Sequence, residues 1–507
     1  MEFNMAEEIL YSSREEMLRR SPDIEMMVPY WDEVSAILEG KNAIQEGKET
    51  YLPKFPDETE KDYDFRIKVG KFTNIYRDVV EGLATKPFQD EISLISSGSD
   101  EIPDEVRNFV EDVDGCGNNL TTFAALTFFN GINYALDWIF VDYPTVKNPY
   151  SVTMAEAKEK NIKPYWRHIL AKNVLEVKTT MIGSKEVITY FRCQEPGFGD
   201  ERIKVREFMK NYNTGLIDWF LWEEFYDQTD HKSKFVLVDS GTMSIDFIPM
   251  VPFTTGRRDG KSFKFYPAMK DAADLQITLY QNESALEYIK ILACYPMLAT
   301  DGIKPKMGPD GKPAKVGVGP GRVLYGVAMD NGMGGTWKYV EPNANSLEFL
   351  QKNIDKTKND LRELGRQPLT ALSTQLTTVT TSIAAGKAKS AVTAWALGLK
   401  DAIENALLIT MKWMNKDYEP EVNVYTGFDN VLDDGSDLEE LGKAKERGDI
   451  SLETYWEELK RRKVLSPEFN VERERKRLLE DIPTDGVDTT DDEADYDYNQ
   501  LKKDDRK

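Results

Sequence analysis

A stretch near the middle of the chain, residues 266–296, reads YPAMKDAADLQITLYQNESALEYIKILACYP. Pro267 and Pro296 bound an interior that contains neither proline nor glycine. A proline is tolerated at the first turn of a helix and just beyond its end, so both prolines lie where a helix accepts them. The stretch therefore predicts one helix.

A second helix is predicted downstream, over SLEFLQKNIDKTKNDLRELG, residues 346–365. Its leucines and isoleucine recur at helical spacing on one face, and Gly365 is a typical residue for the position after a helix end. Between the two helices the chain is rich in glycine and proline and carries short apolar runs. The pattern predicts a small β-rich module inserted between two helices.

Upstream, the first segments are predicted to be helical. Residues 5–20, MAEEILYSSREEMLRR, show an amphipathic pattern, and the chain from about Asp57 to the residue before Lys86 reads as one long helix. The apolar face of that long helix is predicted to lie in the core; it comprises Phe65, Val69, Phe72, Ile75, Tyr76 and Val79. From about residue 120 to 252 the pattern changes to a helix followed by short β-branched and aromatic runs, which indicates antiparallel strands and an α+β region.

Downstream, the chain loses its acids between Leu364 and Lys400, where the average composition would place roughly six. Residues 367–380 are rich in threonine and contain Pro368, which favours a loop over a helix. A long helix is predicted to follow, up to about Met414. Two more helices are predicted over residues 437–447 and 451–463, and the chain ends in an acid-rich tail.

Composition excludes several classes of protein. At 507 residues, the chain is long enough to form the hydrophobic cores of about three domains. The formal charge of −23 argues against a protein that binds nucleic acid by neutralising phosphates. Three cysteines without CxxC spacing and two histidines argue against a zinc site or a disulfide framework. The N-terminus is acidic, and charged residues interrupt the most apolar stretch. We therefore expect a soluble protein that is intracellular when made and has no membrane segment.

TTGRRDGKS, residues 254–262, is the strongest candidate for enzyme chemistry. A phosphate-binding loop needs four residues between its glycines, so that successive N–H groups curl round the phosphates. Gly256 and Gly260 are separated by only three residues, and no helix is predicted directly after them. The pattern favours a surface turn, and we expect no enzyme activity, no cofactor and no metal. The alternative is an ATP-driven packaging enzyme that uses Gly260, Lys261 and Ser262.

Five stretches resemble portal proteins of tailed bacteriophages. They are YLPKFP (residues 51–56), NYALDWIFVDYP (133–144), VGPGR (318–322), WKYVEPNANSL (337–347) and GDISLETYWEELKRRKVL (448–465). The resemblance covers most of the chain in order. It implies a ring of twelve copies at a capsid vertex, through which DNA is packaged and later ejected. A ring of this kind closes through a head-to-tail interface.

The resemblance also implies an α+β portal fold, with an α/β wing, a two-helix stem, a β-rich clip, a long tunnel helix and an α-helical crown. The implied segments are a wing at 1–265, stem helices at 266–295 and 346–365, a clip at 296–345, a tunnel loop at 366–380, a long helix returning to the wing at 381–436, a crown at 437–482 and an acidic tail at 483–507. The two-helix arrangement read from the residues agrees with this division.

The partners implied are the chain itself, double-stranded DNA, the terminase large subunit, the major capsid and scaffolding proteins, and a head-to-tail adaptor, with no membrane. The location implied is the portal vertex of the virion, after assembly in the host cytoplasm. A minor capsid protein or head–tail adaptor is a further alternative. Such a protein would form a ring without the stem and clip.

The acid-free stretch then has a candidate role at the narrowest part of a DNA channel. Carboxylates there would oppose the phosphates, and clustered lysines would hold them. Neutral side chains can exchange hydrogen bonds with passing phosphates or water; the candidates are Gln367, Thr370, Ser373, Thr374, Gln375, Thr377 and Thr378. Lys352, Lys356 and Lys358 on the second stem helix are candidate weak phosphate contacts, or a solvated face. For residues 382–396, close helix packing is the favoured interpretation.

Overall fold

The structure is a computed structural model. It describes residues 11–95, 102–144, 162–195, 202–228, 231–294, 297–301, 336–340, 344–366, 378–426, 436–461, 464–465 and 474–475. The chain divides into two compact units, Met1–Phe428 and Asp429–Lys507. Helices and strands are mixed, and one sheet curls into a half-barrel, as the α+β prediction requires.

Eight helices precede the long strands in the described part of the first unit. They are α1 (Arg14–Leu18), α2 (Pro22–Glu25), α3 (Val28–Glu39), α4 (Lys41–Glu46), α5 (Glu60–Val69), α6 (Ile75–Ala84), α7 (Asp104–Val110) and α8 (Leu120–Tyr134). Gly40, at φ +99°, ends α3 in a conformation that favours glycine.

The prediction of a single helix from about Asp57 to the residue before Lys86 is wrong, because the chain breaks between α5 and α6. The N–H of Gly70 closes α5, and the side chain of Asn74 accepts the N–H of Arg77 to begin α6. The break resets the helical phase. Phe65, predicted to be in the core, is therefore 43% exposed, whereas Ile75 and Tyr76 are buried as predicted.

The helix predicted over residues 5–20 is also wrong in part. Residues 5–10 lie outside the described residues, and β1 (Tyr11–Ser13) pairs antiparallel with a later strand. The Ser13 hydroxyl accepts the N–H of Glu16, so the helix begins only at Arg14. The side-chain cap and the edge of a neighbouring strand override the amphipathic pattern.

The remaining strands of this region are β2 (Ser93–Ile95), β3 (Leu136–Asp142), β4 (Tyr165–Leu170), β5 (Val174–Ile182), β6 (Lys185–Glu195), β7 (Lys204–Lys210), β8 (Ile217–Asp227), β9 (Lys232–Met243), β10 (Met250–Thr254), β11 (Arg257–Arg258) and β12 (Phe265–Tyr266). The six-stranded sheet has the order β1-β9-β8-β7-β6-β5, so β5 to β9 form the predicted antiparallel meander. A three-stranded sheet has the order β10-β3-β4.

Every residue of β3 is buried, because this strand lies between the six-stranded sheet and α8. Trp138 and Phe140 meet Phe191 and Phe208 of the six-stranded sheet at ring distances of 4.9 and 5.4 Å. On the α8 side, Phe128 stacks on Phe253 of β10. These aromatic contacts make the three-stranded sheet the centre of the main hydrophobic core.

The two helices predicted around the inserted module are both present. They are α9 (Lys270–Cys294) and α10 (Ala344–Arg366), and β13 (Met297–Asp301) pairs antiparallel with β14 (Thr336–Val340) between them. Helix α11 (Thr378–Trp413) follows, and β15 (Glu421–Asn423) returns to pair with β2. In the second unit, α12 (Ser436–Glu446) and α13 (Leu452–Arg461) agree with the two predicted helices.

Candidate functional site

Helices α9 and α10 pack along each other and against α6 through an apolar seam. Leu279 and Leu286 of α9 meet Ile354 and Leu361 of α10, and all four are at most 4% exposed. Apolar residues spaced by seven on each helix keep one stripe at the shared face. The predicted two-helix element is therefore a packed pair that stands on the N-terminal part of the chain.

A buried carboxylate fixes this pair to the chain break between α5 and α6. Glu283 of α9 is 3% exposed, and its carboxylate accepts the N–H and the hydroxyl of Thr73 at 3.1 and 2.9 Å. Lys358 of α10 donates to the same carboxylate at 2.7 Å. One side chain thus joins three segments, and each of its bonds is charge-assisted.

Gln276, one heptad earlier on α9, makes a second set of bonds to the same break. Its amide oxygen accepts the N–H groups of Ile75 and Tyr76, both at 3.0 Å, and its amide nitrogen donates to the carbonyl of Thr73. The first N–H groups of a helix have no partner inside it. A side chain from α9 therefore satisfies the start of α6.

The candidate lysines differ in their surroundings. Lys358 is 19% exposed and pairs with Glu283, whereas Lys352 is 73% exposed and pairs with Glu348 of its own helix. Lys356 is also exposed. Lys358 has a structural partner within the chain, and contact of any of the three lysines with DNA stays a prediction.

The seven candidate hydroxyl and amide residues are not brought together by described structure. Gln367, Thr370, Ser373, Thr374, Gln375 and Thr377 lie outside the described residues, and Thr378 is the first residue of α11. Their role in a channel stays a prediction. Glu283 and Gln276 are not among the residues predicted from the sequence; the signal that points to them is a pair of polar residues seven apart on the face that carries Leu279 and Leu286.

The candidate phosphate loop forms a hairpin of β11 and β12, and Phe265 of β12 follows it without a helix between. Arg258 donates two hydrogen bonds to the carboxylate of Glu186, and these bonds lower the pKa of Glu186 to about 2. Ser262 donates to the carbonyl of Asp259 and Gly260 has φ +58°. This geometry is the surface turn that the spacing favoured, with Lys261 and Ser262 at the bend.

The two histidines have different neighbours. His168 stacks on Phe123 and its Nδ1 lies 3.2 Å from the carboxylate of Asp137, whose pKa is raised by complete burial. His231 lies beside Tyr226. Among the described residues, no group of three histidine, cysteine, aspartate or glutamate side chains could hold a metal ion. Nor is any helix in the described ranges long and apolar enough to cross a membrane.

Comparisons with known proteins give limited likenesses. The family described as Domain of unknown function (DUF4055) matches residues 268–414, which run from α9 to α11. No curated protein sequence matches the chain. Two similar solved structures come from a gene transfer agent (GTA) particle. The neck of the native particle, computed with C12 symmetry, is 11% identical and has a TM-score of 0.40. The match covers 85% of this chain and 96% of the chain from the neck.

The second similar structure is the virion of the native particle. Its sequence is 9% identical and the TM-score is 0.39; the match covers 83% of this chain and 96% of the chain from the virion.

Proposed function

We propose that this chain is a phage portal protein, a non-enzymatic ring that forms the DNA channel at a capsid vertex. The single observation that carries the proposal is the arrangement of α9, the inserted β13–β14 pair, α10 and α11. Together with the resemblance of the five sequence stretches, it supports a stem, a clip and a long tunnel helix. Twelve copies related head to tail would close the ring.

In this proposal, the chain lets DNA slide and does not hold it. An acidic ring repels phosphates on average, and each phosphate neutralised by a lysine would add affinity that does not depend on sequence. The acid-free segment before α11 would meet the duplex at the narrowest point with neutral side chains. Glu283 and Gln276 would hold the stem helices on the wing while DNA moves.

The partners proposed are genomic DNA, the terminase large subunit, the capsid and scaffolding proteins, and a head-to-tail adaptor. The proposed location is the virion, with assembly in the host cytoplasm. The ATP-driven packaging enzyme is the weaker alternative, because its candidate loop is a hairpin tied by Arg258 to Glu186. A head–tail adaptor is the second alternative, and it would form a ring that lacks a stem.

Electron microscopy of the purified full-length protein tests this function. We expect end-on views of closed rings with an axial hole about as wide as a DNA duplex, and side views with a broad wing and a narrow stem. Monomers or compact dimers at all concentrations would overturn the proposal. An ATP hydrolysis assay on the same sample separates the alternatives, because the conduit is expected to hydrolyse no ATP.

A further inference from the structure

An open groove runs along one face of α11. Gly398, Ala402, Asn405, Ile409 and Lys412 recur on this face over four turns of the helix, and the groove has a volume of about 790 Å³. Strand β10 and the segment at residues 246–248 form its floor. The tip of the β5–β6 hairpin forms the opposite wall. A groove of this size can enclose several large side chains.

The groove is apolar inside and carries an excess of cations at its rim. Lys185, Lys210 and Lys412 line it, against the two acids Asp246 and Asp401. The fourth cation, Arg258, is neutralised by Glu186. In a chain with 88 acids and 65 bases, this is a local reversal of charge. The groove therefore favours a partner that is apolar at its centre and acidic at its edge.

The chain itself presents such a surface on α5, on the segment just before α5 and on α9; we call it the aromatic patch. It consists of Phe55, Phe65 and Tyr288; the two phenylalanines are 44% and 43% exposed, and Phe65 meets Tyr288 edge to face at 6.4 Å. Exposed aromatic clusters of this kind are typical of protein interfaces.

The aromatic patch has a rigid base and an acidic surround. The guanidinium of Arg66 lies 4.0 Å from the ring centre of Phe55 and binds Glu58 through two hydrogen bonds at 2.7 and 2.8 Å. Asp57, Asp62 and Asp64 are exposed beside it. Residues 49–68 contain six acids and four bases, so the charge is opposite in sign to the excess at the groove.

The groove and the aromatic patch lie on different elements, which are linked through a series of packed helices and strands. Helix α11 packs on β10, β3 and α8, and α8 packs on α3 and α6. Helix α9 packs against α3 and α6, and α5 packs on α9. A head-to-tail contact needs two different surfaces on one chain, facing different neighbours.

We propose that the α11 groove of one copy receives the aromatic patch of the next copy. This inference rests on the proposed ring, because it names the two surfaces that would close it. Phe55 and Phe65 would enter the apolar groove, and the aspartates around them would meet Lys185, Lys210 and Lys412. Desolvated aromatic side chains would supply most of the affinity, and the charges would fix the orientation.

Two exposed substitutions test the interface in the full-length protein. Phe65→Ser removes an anchor of the patch, and Asn405→Trp fills the groove from an exposed position on α11. We expect each variant to remain monomeric at concentrations at least tenfold above those at which the unaltered protein forms rings. Tyr212→Ser, at a 74% exposed position in the β7–β8 turn, is the matched control and is expected to form rings. Thermal unfolding midpoints close to that of the unaltered protein verify folding.

Mixing the two variants makes the test specific. Phe65→Ser keeps an intact groove and Asn405→Trp keeps an intact patch, so one contact can form and no second can follow. We expect native mass spectrometry to show a species with one chain of each variant. Ring formation by both variants, or a mixture that stays monomeric, would overturn the interface. If the unaltered protein forms open filaments while the mixture forms pairs, the ring proposal fails and the interface stands.

Discussion

The side chains of Arg66 and Glu58 form a buried ion pair. Their side chains are 1% and 4% exposed, and Arg66 donates a further bond to the carbonyl of Pro53. A buried pair is costly to break, because removing one partner leaves an uncompensated charge in the interior. The pair therefore holds the segment before α5 in one place.

The pH dependence of stability follows from this pair. The hydrogen bonds from Arg66 lower the pKa of Glu58 in the folded chain below its value in the unfolded chain. The unfolded chain therefore binds more protons below about pH 4.5, and this contribution to stability is lost as the pH falls through that range. It is fully present at neutral pH.

We expect Glu58→Gln to lower the free energy of unfolding by about 3 kcal/mol at pH 7 and to flatten its fall as the pH drops below about 4.5. Urea denaturation across that range measures both effects. Glu60→Gln is the control, since Glu60 is 79% exposed and pairs with Lys54 at the surface. Equal acid sensitivity in Glu58→Gln and the unaltered protein would contradict the assignment.

Among the helices and strands, the sequence predicts those whose formation depends on a local pattern of residues. Helices α9 and α10, the β13–β14 pair between them and the meander β5 to β9 follow from periodicity and turn residues. The break between α5 and α6 carries local signals in Gly70 and Asn74. The bonds that also stabilise it come from Gln276 and Glu283, about 200 residues further along the chain, and no local pattern predicts them. Residues 367–377 lie outside the described residues, and their role in a channel stays a prediction.

The junction of α9, α10 and the chain break gives the second prediction. Glu283→Gln keeps the shape of the side chain but leaves Lys358 without its charged partner, so we expect a loss of about 3 kcal/mol in the free energy of unfolding. Lys352→Gln is the matched control on the same helix; its exposed pair contributes about 0.5 kcal/mol or less. Urea denaturation measures both losses.

A double variant separates the charge from the packing at this junction. Replacing Glu283 by Gln and Lys358 by Met together removes both charges, so we expect it to recover part of the loss. If Glu283→Gln were no less stable than Lys352→Gln, the carboxylate would not be what fixes the helix pair.

At the scale of the whole molecule, charge decides how a ring of this chain would treat DNA. With −23 on each copy, twelve copies would carry a strongly negative field, and binding to duplex would be weak at any salt concentration. The proposed channel segment is the place where this balance is most sensitive, since it has no acid of its own from Leu364 to Lys400. Cations added there would act on the phosphates at close range.

Thr374→Lys combined with Thr377→Lys tests this directly on purified rings. Each phosphate that the new lysines neutralise is expected to steepen the dependence of log K on log salt by about 0.9, so duplex binding should appear at low salt and fall steeply as salt rises. Fluorescence anisotropy with a short duplex measures this binding.

Tyr212→Lys combined with Thr214→Lys adds the same charge at the exposed β7–β8 turn and is expected to give no such binding. Because both pairs change the net charge equally, a difference between them can come only from position. Identical binding by the two pairs would place the threonines away from the channel.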